Sequence, residues 1–113
     1  MLLGASCDEC GMPVEDARFA CERLDPEGWR VYDSVECLIR DAGSTAAIGS
    51  WLSDHDTGTL HRSDSMWVVR GHFPSPMAGG VAAFLSRASA QSLADSSGGR
   101  VGSLAEIAAA PAH

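Results

Sequence analysis

Lysine is absent from the 113 residues, and all eight basic side chains are arginine. That removes catalysis by a lysine amine, including Schiff-base chemistry and the P-loop lysine. Aromatic residues are few, at 6%. No apolar run approaches the ~20 residues of a membrane span, so nothing in the chain as given crosses a bilayer. Positive charge is scarce beside 15 Asp and Glu, which leaves a formal net charge of −7. A chain that acidic repels phosphates, so nucleic acid and anionic membrane are excluded as expected partners. The start, Met1 to Cys7, ends like a signal peptide but has no basic beginning and no full hydrophobic stretch. It is expected to be no working signal.

Hydrophobic residues reach 45% and charged residues 20%, an ordinary globular composition. The length predicts one domain over residues 1–113 that buries its own core, with loose ends at 1–6 and 108–113. The four cysteines, Cys7, Cys10, Cys21 and Cys37, all fall in the first third. Two of them form a C-x-x-C pair, a spacing that suits metal or redox chemistry better than a staple between distant parts.

Residues 17–24 read as a strand, Asp25-Pro26-Glu27-Gly28 as a turn, and Trp29-Arg30-Val31-Tyr32 as the returning strand of a hairpin. A helix follows. Asp33 is expected to cap it, with Glu36 at capping-box spacing. Val35, Leu38, Ile39 and Ala42 form its apolar stripe, and Gly43 stops it. Strands are expected at 46–53, 65–70, 81–85 and 100–103, and a short helix at 88–96 ended by Gly98-Gly99. A last helical turn is expected at 104–110. The order β-β-α-β followed by β-β-α-β predicts an α+β fold with a faint internal duplication.

Chemistry concentrates in Cys7-Asp8-Glu9-Cys10-Gly11-Met12. Two sulfurs at this spacing can share one metal or form a tight disulfide. Thiolate with thioether is a soft donor set that selects Cu(I), whereas a four-cysteine set would argue for Zn(II). Cys37 lies in the first turn of the expected helix, where the dipole favours a thiolate. It is either a further ligand or a small buried apolar residue. Cys21, inside a strand, reads as core, and Met66 beside Trp67 as packing. Met77 stands in a proline- and glycine-rich loop, outside regular structure, and is a candidate distant ligand. His55 and His61 flank an acidic turn. His72 is the histidine nearest Met77 in sequence and the best of the three as a ligand.

Taken in order, these elements resemble the NosL family, copper-binding accessory proteins of nitrous-oxide reductase maturation. The resemblance runs through Cys7-Asp8-Glu9-Cys10-Gly11-Met12-Pro13-Val14, Arg18-Phe19-Ala20 and Val31-Tyr32-Asp33-Ser34-Val35-Glu36-Cys37-Leu38. It continues through Met66-Trp67-Val68-Val69-Arg70-Gly71 and Pro76-Met77-Ala78-Gly79-Gly80-Val81-Ala82-Ala83-Phe84, where Ala78 replaces the family's usual glycine. It implies tandem ββαβ units, similar also to part of organomercurial lyase. It implies a monomeric Cu(I) carrier without catalytic activity, whose partner is a copper-accepting maturation protein or nitrous-oxide reductase. By position, Cys10, Met12 and Met77 are the implied ligands, with Cys7 and Cys37 as further members. The family's usual place is lipid-anchored on the outer face of the cytoplasmic membrane, and a cytoplasmic location stays open for this chain. Two rivals remain. One is a zinc-binding structural or sensory module using Cys7, Cys10, Cys37 and a histidine such as His55 or His72. The other is a small thiol redox enzyme or lyase.

Overall fold

The computed structural model describes residues 3–42, 48–75 and 80–109. Strand β1 (Cys21–Asp25) turns into β2 (Gly28–Tyr32), with Cys21 opposite Tyr32 and Asp25 opposite Gly28. Asp25 closes this turn by accepting the Glu27 N–H at 2.9 Å, and Gly28 supplies a φ of 129° that a side chain would resist. Helix α1 (Val35–Ala42) crosses back, and β3 (Gly49–Ser53) pairs antiparallel with the other edge of β1. A short strand β4 (Leu60–Arg62) extends this sheet beyond β3.

The second half repeats the plan. Strands β5 (Trp67–Arg70) and β6 (Val81–Phe84) pair antiparallel, α2 (Arg87–Ser97) follows, and β7 (Arg100–Gly102) returns to the free edge of β5. Helix α3 (Leu104–Ala109) ends the described chain. The sheet orders are β2-β1-β3-β4 and β6-β5-β7. In both units the first strand is central, flanked by its hairpin partner and by the strand after the helix. The tandem ββαβ expectation therefore holds at the level of topology, with β4 as an addition.

Alternation along β5 and β6 divides the core in two. Val68, Val81 and Ala83 pack with Tyr32, Val35, Leu38, Leu52, Met66 and Ile107. Val69, Ala82 and Phe84 face the other way, toward Phe19 and the small residues Ala90 and Ala94 of α2. The second sheet is thus covered on both faces, which is why β6 reads as a continuous apolar run. The sheets are joined where Asp54 bridges Ala83 and the His55 N–H donates to the Ala83 carbonyl at 2.7 Å.

Several boundaries differ from the sequence reading. Residues 17–19 form a turn and not a strand, because Asp16 accepts the Arg18 N–H on its side chain and the Phe19 N–H on its carbonyl. Ser65 belongs to a 3-10 turn ahead of β5. Helix α2 is one residue longer at each end, capped by Ser86, whose hydroxyl accepts the Ser89 N–H, and closed by Gly98 at φ 67°. The expected stop Gly43 and the strand start at Ala46 lie outside the described residues. Of the expected loose ends, 1–2 and 110–113 also lie outside them. Within them, Gly4 N–H donates to the Val14 carbonyl, and Ala108 is in α3.

Candidate metal centre

The C-x-x-C sits on a small hairpin ahead of β1. Val14 N–H donates to the Ala5 carbonyl and Cys7 N–H to the Met12 carbonyl, both at 2.8 Å, and Gly11 N–H closes back on the Cys7 carbonyl at 2.9 Å. Gly11 has φ 78°, so its lack of a Cβ is what lets the turn close. Both residues between the cysteines anchor this hairpin. Asp8 pairs with the free edge of β2, its N–H donating to the Val31 carbonyl and its carboxylate accepting the Val31 N–H. Glu9 forms an ion pair of 3.6 Å with Arg40 on α1.

These anchors set Cys7 and Cys10 against the first turn of α1. There the structure corrects the capping expectation. Ser34, not Asp33, caps the helix, its hydroxyl accepting the Cys37 N–H at 3.2 Å. Glu36 does not reach back to complete a capping box; its Oε2 accepts from the Ser75 hydroxyl at 3.2 Å. Freed from the cap, Asp33 faces the cysteines. Cys7, Cys10, Asp33 and Cys37 bring their ligand atoms within 4.8 Å of one another. Cys7 and Cys37 are buried at 3% and 0% exposure, Asp33 at 4%, and Cys10 alone is half-exposed. The Cys10 thiol donates to Asp33 Oδ2 at 3.7 Å, and Asp33 Oδ1 has no partner among the described residues.

Burial pushes the Cys10 thiol above its ordinary value, and more strongly that of Cys37, although the Ser34 hydroxyl works in the opposite direction at Cys37. In the metal-free protein Cys10 and Cys37 therefore hold protons that an arriving metal must displace. The donor set fits a soft ion. A metal at ~2.3 Å from three sulfurs holds them roughly 4 Å apart, so the observed cluster needs little contraction. Asp33 adds a buried carboxylate oxygen left unsatisfied among the described residues.

Met12 projects its side chain outward at 56% exposure, while its carbonyl supports Cys7. Met77 lies outside the described residues. The base of its loop is described: Gly80 N–H donates to the Ser75 hydroxyl at 3.0 Å, and Ser75 in turn is bonded to Glu36, the neighbour of Cys37. Cys21 is core, its thiol donating to the Phe19 carbonyl at 3.1 Å. Among the described residues no histidine joins the group. His55 stacks against Phe19 and Phe84, with centroids 5.4 and 5.1 Å away. His61 bonds the Thr59 hydroxyl, and His72 is exposed on its loop. Asp33 is the member that the sequence reading missed, because the capping-box spacing to Glu36 claimed it. The available signal was Ser34, three residues before Cys37 and an equally good cap.

No protein-family model matches the chain, and no curated protein matches it. Among solved structures it is similar to the copper chaperone NosL from Shewanella denitrificans, with a TM-score of 0.81 at 15% sequence identity. That likeness covers 95% of this chain and 92% of the other. The chain therefore has a NosL-like fold, with a cysteine-rich group that could hold a metal ion.

Proposed function

We propose that this protein is a Cu(I) carrier that receives the ion in the Cys7–Cys10–Cys37 pocket and passes it to a partner by ligand exchange. The observation that carries the reading is the convergence of three sulfurs from two separate segments, one of them half-exposed. Soft thiolates favour Cu(I) over harder ions. Cys10, the accessible member, is where an incoming sulfur or imidazole would begin to take the metal over. Met12 and Met77 are the further thioether ligands of this reading: Met12 follows Cys10 by two residues, and the base of the Met77 loop is tied to α1 beside Cys37. No catalysis is required.

The C-G-M and P-M-x-G-G elements, in that order, support a destination in nitrous-oxide reductase copper-centre assembly. The recipient would be a maturation protein or the reductase itself, met by a monomer outside the cytoplasmic membrane. The acidic surface, with net charge −7, would steer the carrier toward a basic face. A second reading has one observation in its favour. Asp33 is a fourth donor, and three sulfurs with an oxygen suit tetrahedral Zn(II).

An anaerobic Cu(I) titration against a competing chelator, repeated with Zn(II), tests the reading. Tight one-to-one Cu(I) uptake, weakened in Cys10→Ser, Met12→Leu and Met77→Leu, is the expected result. Zn(II) uptake that ignores both methionine changes, in a protein that holds Cu(I) poorly, would reject it. Transfer of the bound Cu(I) to metal-free nitrous-oxide reductase, on mixing, tests the destination.

A further inference from the structure

Three free thiols in one pocket are also the makings of a disulfide, and the pocket treats them unequally. Cys7 and Cys37 are sealed from solvent, and only Cys10 can be reached. Cys7 and Cys10 belong to one turn, closed by the Gly11 N–H on the Cys7 carbonyl and eased by the positive φ of Gly11. Cys37 is fixed in α1, with its N–H held by Ser34. Closing Cys10 onto Cys7 joins two residues of one turn, whereas closing it onto Cys37 would cross-link the hairpin to the helix.

We infer that Cys7 and Cys10 form a reversible disulfide by exchange with small disulfides such as glutathione disulfide, and that this closes the pocket to Cu(I). The second half rests on the carrier reading. The Cys10 sulfur attacks one sulfur of the small disulfide and expels the other as a thiolate. The Cys7 sulfur then attacks Cys10 in the mixed disulfide and expels the second thiolate. Two protein thiols are oxidised and one small disulfide is reduced, and the two protons leave on the two small thiols. Of the three cysteine sulfurs only Cys37 then remains as a thiolate donor, and with two of three thiolates lost the neutral thioethers of Met12 and Met77 leave a much weaker Cu(I) site. Loading is thereby limited to the reduced protein, and bound Cu(I) shields the same two sulfurs from oxidation.

The test incubates the metal-free full chain with excess glutathione disulfide. Free thiols are then alkylated, and the products digested with trypsin and weighed. Arg18, Arg30 and Arg40 place Cys7 with Cys10 in one fragment and Cys37 in another, so the two pairings have different masses. The expected product is an internal Cys7–Cys10 bridge lacking two hydrogens. A dithiol should reverse it, prior Cu(I) loading should block it, and Cu(I) affinity should fall at least about 100-fold in the oxidised protein. Cys10→Ser should stay reduced under the same treatment. A stable glutathione adduct on Cys10, a Cys10–Cys37 bridge, thiols that stay reduced, or oxidised protein that binds Cu(I) as before would each overturn the inference. If the reduced protein takes up no Cu(I) but still forms the bridge, the carrier reading and the gate fall together and the exchange chemistry stands.

Discussion

Ser34→Ala isolates the contact on which the position of Cys37 depends. Ser34 has no exposed surface, and its hydroxyl is the acceptor for the Cys37 N–H at 3.2 Å. The substitution leaves that buried donor unsatisfied. Loss of a serine cap costs about 0.5–2 kcal/mol, and a buried unpaired donor about 1–3 kcal/mol. These are two descriptions of one event, so the expected cost is about 1–2 kcal/mol. For a domain near 100 residues this lowers Tm by roughly 4–16 °C. Asp33→Ala is the matched control. It removes a side chain that does not cap the helix, a buried carboxylate with one oxygen unpartnered among the described residues. It should therefore shift Tm by much less. Differential scanning calorimetry of the metal-free proteins decides the matter. A Ser34→Ala protein that melts with the wild type, beside an Asp33→Ala protein that loses more than about 1 kcal/mol, would return the cap to Asp33 and undo the account of the pocket.

Other consequences concern the rest of the pocket and the scaffold beneath it. Cys37→Ser should weaken Cu(I) binding at least about 100-fold in a chelator competition. Cys21→Ser, which alters a core thiol outside the group, should leave binding within about threefold while lowering stability by about 1–3 kcal/mol. Asp41 contributes a pH-dependent part of the stability. Burial pushes its carboxyl up, but hydrogen bonds from Tyr32 and Arg30 outweigh this and hold it below the ordinary 3.8. Its contribution is thus present above pH 3.8 and is lost as pH falls through the lower folded-state value. The stability gap between wild type and Asp41→Asn, measured by urea unfolding, should accordingly narrow below that pH and stay constant above about pH 5. Gly99→Ala should destabilise by about 1–3 kcal/mol, since a methyl there would fall against the Arg70 carbonyl and the Gly71 backbone; a thermal melt indistinguishable from wild type would contradict that packing.

The strands and helices of both units were legible because their patterns are simple. Trp29 to Tyr32 alternates, Val35, Leu38 and Ile39 recur at helical spacing, and Gly98 marks a stop. Strand β4 was not legible: Leu-His-Arg has no periodicity, and pairing with β3 makes it a strand. The turn at 17–19 was missed for a related reason, since one aspartate side chain overrides a strand-like composition there. At the site, C-x-x-C announced metal chemistry through spacing alone. The inclusion of Cys37 depended on how α1 docks against the hairpin, through Asp8 on the edge of β2 and Glu9 on Arg40, and these contacts leave no local pattern. Asp33 was hidden by an ambiguity of neighbours. Asp-Ser ahead of a helix offers two caps, and only the fold determines which residue is left facing the sulfurs.

X-ray absorption at the copper edge of the anaerobic one-to-one Cu(I) complex tests the central claim most directly. The account predicts a first shell made of sulfur, at about 2.3 Å, that loses a scatterer in Cys10→Ser and again in Cys37→Ser. A shell of nitrogen and oxygen, or a sulfur shell unchanged by both substitutions, would contradict it.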